Sequence, residues 1–352
     1  MIFSAMLFIV KRVRLVEVAH EAGVHTATAS RALNPATRNE VSRRTIRRVE
    51  QAAQRLGYVP NVMARGLRTA RSHVVTLVIP DITNPLFPPL VRGAERVLSG
   101  RGFTLVLTDT NNDPLAERAQ IASMRGRGTD GFIVATAYWE DLLLDEMAAS
   151  DVPVVLVNRD IASHSLPYIG GDDRRGVQLC VDHLVGLGHR RLVHLSGPPD
   201  TSTGRERASA FRQSMRAHKL PAPAGTVVEC RAFTEQAGAE ATRKLLASGR
   251  QFTAVVAGND LVALGAQAVL AEHGMRCPVD VSITGINDLA FMDKLTPALT
   301  TVRMPMHDMG ALAARTLLDR IDRPGEQHLT HTLLPVELVV RGTTCPAAAE
   351  GP

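Results

Sequence analysis

Cysteine and large aromatics are scarce in this chain. Its 352 residues include four cysteines, one tryptophan and three tyrosines. Cys180, Cys230, Cys277 and Cys345 fall in no CxxC or CxxH spacing. That excludes a disulfide framework or zinc ribbon and fits reduced, mostly buried thiols. No apolar run is long enough to span a bilayer. The opening MIFSAMLFIV is apolar for ten residues, and its basic residues follow it, the reverse of an export signal. Residues 1–14 therefore read as an N-terminal extension, or as sequence ahead of the true start. A glycine-rich phosphate loop, a serine-centred elbow and an HExxH motif are all missing. SGPPDTSTG, residues 196–204, lacks the GK[ST] ending of a nucleotide cradle and reads as a loop at the rim of a cleft. His183, His189 and His194 gather near HLVGLGHRRLVHL, but 183 and 189 share no helix face at ligand spacing. No metal, no cofactor and no enzymatic acid–base pair or nucleophile is expected.

What is present begins at residues 15–34, LVEVAHEAGVHTATASRALN. Val18, Ala19 and Ala22 recur at helical spacing. Gly23 stands where a chain leaving a helix often needs positive φ, which glycine adopts freely. Val24 would plug the angle to a second helix, whose inner face is Ala29, Ala32 and Leu33. Thr26, Ala27, Thr28, Ser30 and Arg31 are left facing outward, with Asn34 at the end. This is the layout of a helix-turn-helix, in which the second helix enters the DNA major groove. Arginine pairs with guanine in bidentate fashion, and hydroxyls reach phosphates or base edges. An ordinary helical hairpin is the bland alternative.

A third helix is predicted from Ser42, a good N-cap, to Leu56, with Gly57 as its stop. Ile46, Val49, Ala53 and Leu56 form its apolar stripe, and Arg43, Arg44, Arg47, Arg48 and Arg55 occupy the other positions. Residues 1–71 hold 13 Lys and Arg against 4 Asp and Glu, a net +9, whereas the whole chain is +5, so the remainder is −4. A small basic head on a mildly acidic body is the electrostatic footprint of a nucleic-acid binder.

From about His73 the period changes. VVTLVIP, FTLVLTD, DGFIVAT and VPVVLVNRD alternate with helical stretches over Leu86–Leu98, Pro114–Met124 and Trp139–Ala149. The pattern restarts at RRLVHLSG and continues through TVVEC, TAVVAGND and VSITGIND. Such alternation implies parallel sheets with helices on both faces. Ligands in open α/β sheets bind beyond the carboxyl ends of strands. Asp81, Asn84, Phe87, Asn158 and Arg159 occupy such positions. Asp81 and Asn84 would equally serve as helix caps, and Arg159 as a surface ion-pair partner.

The chain resembles the lactose-repressor (LacI/GalR) family of bacterial transcription regulators from about Leu15 to Thr343. The resemblance is carried by VEVAHEAGV…TASRALN, LGYVPNVMARGLRT, PDITNPLF, DGFIVAT, HLVGLGHRR, GNDLVALGA and PALTTVRMP, in order. It implies an all-α helix-turn-helix domain over 15–59 and a hinge helix or linker over 60–72. It also implies a two-lobed, periplasmic-binding-protein-like α/β core over 73–343, with a tail over 344–352. Lobe 1 would take about 73–170 and 303–330, lobe 2 about 171–302 and 331–343. Thr26, Ala27 and Arg31 match base-reading positions, and Thr28, Ser30 and Asn34 match phosphate contacts. His25 departs from the family's usual serine cap, and histidine caps poorly. Leu67 matches the leucine that wedges into the minor groove, with the small Ala64 beside it. Gly66 lowers helix propensity by about 1 kcal/mol, which suits a segment helical only on DNA.

In the core, Arg207, Phe233, Asn259 and Asn287 match effector contacts, although Phe233 would also serve as core filler. The family commonly has Asp at the position of Asn287. With Arg207 and Arg159, that change tilts the cleft toward an anionic effector such as a small carboxylate, sugars being the family's commonest choice. The resemblance thus implies a cytoplasmic homodimeric repressor binding a palindromic DNA operator, with no membrane partner. CPAAAEGP carries no leucine heptad, which favours a dimer over a tetramer. The Leu86–Leu98 helix is a candidate for the dimer surface. A solute-binding protein with the same two lobes is the rival reading, but it has no use for residues 15–71.

Overall fold

The computed structural model describes residues 13–34, 37–58, 71–325 and 329–348. They fall into two compact units, one ending at Ser72 and one beginning at His73.

The first unit is helical. At the start of helix α1 (Leu15–Glu21) the Arg14 amide donates to Glu17 Oε2 at 2.7 Å. Gly23, at φ +59°, turns the chain into α2 (Thr26–Ala32). Helix α3 (Arg43–Leu56) is capped by the Ser42 hydroxyl, which accepts from the Thr45 amide, and it stops at left-handed Gly57. Val18, Ala19, Ala29, Ala32, Ile46 and Val49 bury together, with Val24, Leu33 and Leu56 packed around them. Burying each Val or Ile contributes about 1.5–3 kcal/mol, enough to fix so small a cluster of helices.

The second unit holds two six-stranded sheets. Strands β1 (Val74–Ile79), β2 (Thr104–Asp109), β3 (Gly131–Val134), β4 (Val154–Val157) and β5 (Tyr168–Gly171) build the first, with β11 (His331–Leu334) at its edge. All its pairings are parallel, in the order β11-β5-β4-β3-β1-β2. The second contains β6 (Leu192–Ser196), β7 (Val227–Glu229), β8 (Ala254–Ala257), β9 (Ser282–Asn287), β10 (Thr300–Arg303) and β12 (Glu337–Val339). Its order is β12-β10-β9-β8-β6-β7, and only β12 runs antiparallel. The intervening helices are α4 (Phe87–Gly100), α5 (Pro114–Gly126), α6 (Leu142–Ala148), α7 (Asp173–Gly186), α8 (Ser202–Ala217), α9 (Glu235–Ala247), α10 (Asp260–Glu272) and α11 (Met306–Asp322).

Two expectations are corrected. Residues 331–334 belong to the first sheet, because His331 pairs with Tyr168 and Leu334 with Gly171, while β10 keeps Arg303 in the second. The helix expected from Trp139 starts at Leu142, because Asp141 caps it by accepting from the Leu144 amide and Trp139 is used elsewhere. The tail is anchored past 343, where the Cys345 amide donates to Ser282 Oγ at 3.1 Å and the Ala347 amide to the Leu187 carbonyl at 2.8 Å. Helix α4 turns its apolar face inward onto α11: a Cβ on Gly310 would stand 2.0 Å from the Leu90 carbonyl oxygen. Outward it shows Arg92, Glu95 and Arg96.

Candidate functional site

In the helical unit, α2 buries Ala29 and Ala32 and turns its other positions out. Ala27 and Arg31 are exposed, and Thr26, Thr28, Ser30 and Asn34 are half-buried. His25 does cap this helix: its Nδ1 accepts from the Ala27 amide at 3.3 Å, which corrects the expectation of a poor cap. The arginines of α3 divide. The Arg48 guanidinium donates to the Ala22 carbonyl and to that of Gly23 at 3.3 Å, tying down the end of α1. Arg55 pairs with Glu21 at 3.1 Å. Arg43, Arg44 and Arg47 are exposed and keep their charge available. Ala64 and Leu67 lie outside the described residues.

In the second unit, a cavity of about 270 Å³ opens between the carboxyl ends of the two sets of strands. Asp81, Asn84, Phe87, Asn158, Arg159, Arg207, Phe233, Asn259 and Asn287 all line it. The topology accounts for this convergence. In each sheet the chain winds both ways from one strand, β1 in the first and β6 in the second, and such a reversal opens a crevice at the strands' carboxyl ends.

Asp81 and Asn84 shape their loop as well as line the cavity. Asp81 Oδ1 accepts from the Thr83 amide at 2.8 Å, and Asn84 Oδ1 from the Leu86 amide at 3.0 Å. Neither caps α4, whose N-cap is Leu86. Arg159 is buried rather than a surface ion-pair partner, being 8% exposed. Its Nη1 reaches the Thr136 carbonyl at 3.5 Å, and its Nε has no hydrogen-bond partner within the protein. Burial lowers the Arg159 pKa, with Tyr138 and Asp200 opposing. An arginine so placed favours an acceptor on whatever enters the cavity.

Arg207 is held on both sides. Its Nε donates to Asp173 Oδ1 at 2.7 Å and its Nη1 to the Gly258 carbonyl at 2.5 Å. The guanidinium lies 5.5 Å from the centroid of the Phe233 ring, which is only half-buried and faces the cavity. Burial raises the Asp173 carboxyl and Arg207 opposes that rise. Asn259 caps α10 through the Val262 amide at 2.8 Å and donates Nδ2 to the Phe233 carbonyl at 3.3 Å. Asn158 and Asn287 adopt φ of +68° and +127°. Strained backbone of this kind gathers at ligand sites, and asparagine tolerates it better than most residues.

Sequence reasoning missed Asn112, Tyr138, Asp200, Thr201, Thr203 and Arg231, which share the lining. Asn112 and Tyr138 follow β2 and β3, so the strand-end argument applied to every strand would have found them. Asp173 carried no such signal, since its role rests on a contact with a residue far along the chain. Beneath the cavity the Thr136 hydroxyl donates to Glu117, a carboxyl that burial pushes up to about 7.

Residues 14–61 match the profile described as bacterial regulatory proteins, lacI family, and residues 181–344 match a periplasmic binding protein-like domain. A ribose operon repressor of Halalkalibacterium halodurans is 31% identical over 328 residues, spanning 93% of this chain and 96% of that protein. A solved lac repressor dimer, bound to operator and the anti-inducer ONPF, superimposes with a TM-score of 0.83 at 26% identity, covering 95% of this chain and all of that one. A LacI family regulator from Enterococcus faecium with bound ribose gives 0.67 at 28% identity, over 78% of this chain and 100% of that one.

Proposed function

Because this chain belongs to the lacI family of bacterial regulatory proteins, we propose that it is a homodimeric repressor whose grip on a palindromic operator is set by a small polar effector in the cleft. It is a DNA-binding transcription regulator with an effector-binding core. The observation carrying the effector reading is the convergence of nine residues, from strand ends of both sheets and from helix α8, on one cavity.

The cavity, about 270 Å³, has room for a sugar. Phe87 and Phe233 offer flat apolar faces for a ring, and the asparagines Asn84, Asn158, Asn259 and Asn287 offer donors and acceptors for its hydroxyls. The ribose named for two of the proteins similar to this chain supports that class. A second reading, a sugar-sized carboxylate, rests on Arg159, whose buried Nε lacks a partner. Among the described residues no helix is long and apolar enough to cross a membrane. We place the protein in the cytoplasm, where its DNA is, and assign it no catalytic step.

On the DNA side, Thr26, Ala27 and Arg31 read bases, while Thr28, Ser30 and Asn34 fix the helix on phosphates. Leu67, beside Ala64, wedges into the minor groove. Two heads are required, because a single one sees too few base pairs for specific affinity; the lac repressor dimer supports this arrangement. The effector acts through its different affinity for two arrangements of the lobes.

The test selects duplexes from a random pool with the purified chain, then adds ribose, other monosaccharides and sugar acids in turn. A two-fold symmetric site should emerge, and one compound should change its affinity. Arg207→Ala should bind that site normally and ignore the compound. A variant that still responds would remove Arg207 from the effector site, and a chain with no affinity for duplex DNA at low salt would end the reading.

A further inference from the structure

Beside the effector cavity, three side chains outside the regulatory reading converge. Asp160 and His164 sit in the loop after β4, and His331 opens β11. Asp160 Oδ2 lies 2.7 Å from His164 Nδ1 and 3.5 Å from His331 Nδ1. One ligand atom from each of the three falls within 4.8 Å of the others. Ligands at zinc-type bond lengths of about 2.0–2.1 Å stand roughly 3.3 Å apart around a tetrahedral ion, so small ring rotations suffice. The motifs of the sequence drew attention only to His183, His189 and His194. Those are committed to hydrogen bonds within the second lobe, for example His194 Nδ1 to the Val256 carbonyl at 2.7 Å.

We infer that Asp160, His164 and His331 form a binding site for a divalent transition-metal ion of the zinc type. The donor set favours that class, since two imidazoles disfavour the hard, oxygen-seeking magnesium and calcium. The carboxylate is preorganised: its Oδ1 accepts from the Ile161 amide at 2.8 Å, which turns Oδ2 toward the two rings. The carboxylate side chain is 7% exposed, and the His164 and His331 side chains are 52% and 34% exposed. The ion therefore has a buried anionic ligand on one side and keeps solvent positions on the other. Binding at Nδ1 takes the imidazole as its Nε2–H tautomer, and bonds from the ion to both groups replace the His164–Asp160 hydrogen bond.

The site also touches the lobe junction. The Asp160 amide donates to Ser202 Oγ at 2.9 Å, between the cavity-lining Thr201 and Thr203. Trp139, the chain's one tryptophan, sets its ring edge-on to His164 at 5.9 Å. Its amide donates to the Asp200 carbonyl at 2.6 Å. Arg205 lies 5.0 Å over the same ring. An ion here pins the loop after β4 to β11, next to the groups that join one lobe to the other.

Trp139 makes the site observable. The full chain, stripped by chelator, is titrated with zinc chloride against a chromophoric zinc indicator, and separately with nickel chloride while tryptophan fluorescence is followed. One equivalent should bind saturably, and nickel should quench Trp139. His331→Ala and Asp160→Asn should each weaken binding at least about tenfold, while His183→Ala should not. Circular dichroism and a thermal melt of the core verify that each variant is folded, independently of any effector. Absence of saturable one-to-one binding, or unchanged affinity in folded His331→Ala, overturns the assignment.

Discussion

Glu117 is buried against the Thr136 hydroxyl, and burial raises it from the ordinary 4.5 to about 7. A carboxyl raised in the folded state favours folding most at pH values below its unfolded value. That contribution disappears as pH climbs through about 7, a loss of roughly 3 kcal/mol. Glu117→Gln keeps a neutral hydrogen-bonding group, so wild type should lose stability relative to the variant between pH 4.5 and 8. Parallel urea melts at both ends of that range would expose a flat difference if the assignment were wrong. Gly197 has a different constraint: a Cβ there would stand 2.0 Å from the Phe233 ring. Gly197→Ala should displace that ring and weaken effector binding at least about tenfold by calorimetry, with DNA binding kept; unchanged affinity would free Phe233 from the ligand. Residue types at strand ends were legible in the sequence. The pairing of Arg207 with Asp173 was not, because it joins two helices through a contact that periodicity does not encode.

Helices α2 and α3 show how far local chemistry alone defines an element. Ser42 and Gly57 end α3 where capping chemistry puts them, since a hydroxyl before a helix and a glycine after it satisfy local needs. His25 broke that logic: an imidazole nitrogen supplied the acceptor expected of serine. The start of α6 was misjudged for a similar reason. Asp141 is the true cap, and the apolar period before it belongs to Tyr138 and Trp139, which serve the cavity and the lobe junction. Of the α3 arginines, Arg48 proved structural, because its guanidinium satisfies the carbonyls left open at the end of α1. On α2, Arg31 is exposed and near the end of the helix. Arg31→Ala should cost about 1–3 kcal/mol per half-site on the preferred operator while leaving low-salt binding to random duplex intact. Anisotropy titrations on both DNAs decide it; equal losses on the two would make Arg31 a phosphate contact.

At the scale of the whole molecule, alternation of β-branched runs and helices announced two parallel-sheet lobes, and these are present. The misplaced boundary at 331 arose because an edge strand is chosen by pairing partners, and β11 and β12 look alike in composition while serving different sheets. One apolar core cluster runs from β1 and α4 in the first lobe to β6, β8 and β9 in the second. The core should therefore melt in a single calorimetric transition. An effector at about a hundred times its Kd should raise that transition by the equivalent of about 2.7 kcal/mol. Two separately melting lobes would contradict the shared core.

The chain passes between sheets after β5, after β10 and again in the two residues between β11 and β12. Neither half is thus a contiguous stretch of gene. A nonsense codon near residue 330 would strip an edge strand from both sheets at once, and a late frameshift should behave genetically as a null allele, not as a regulator that merely ignores its signal.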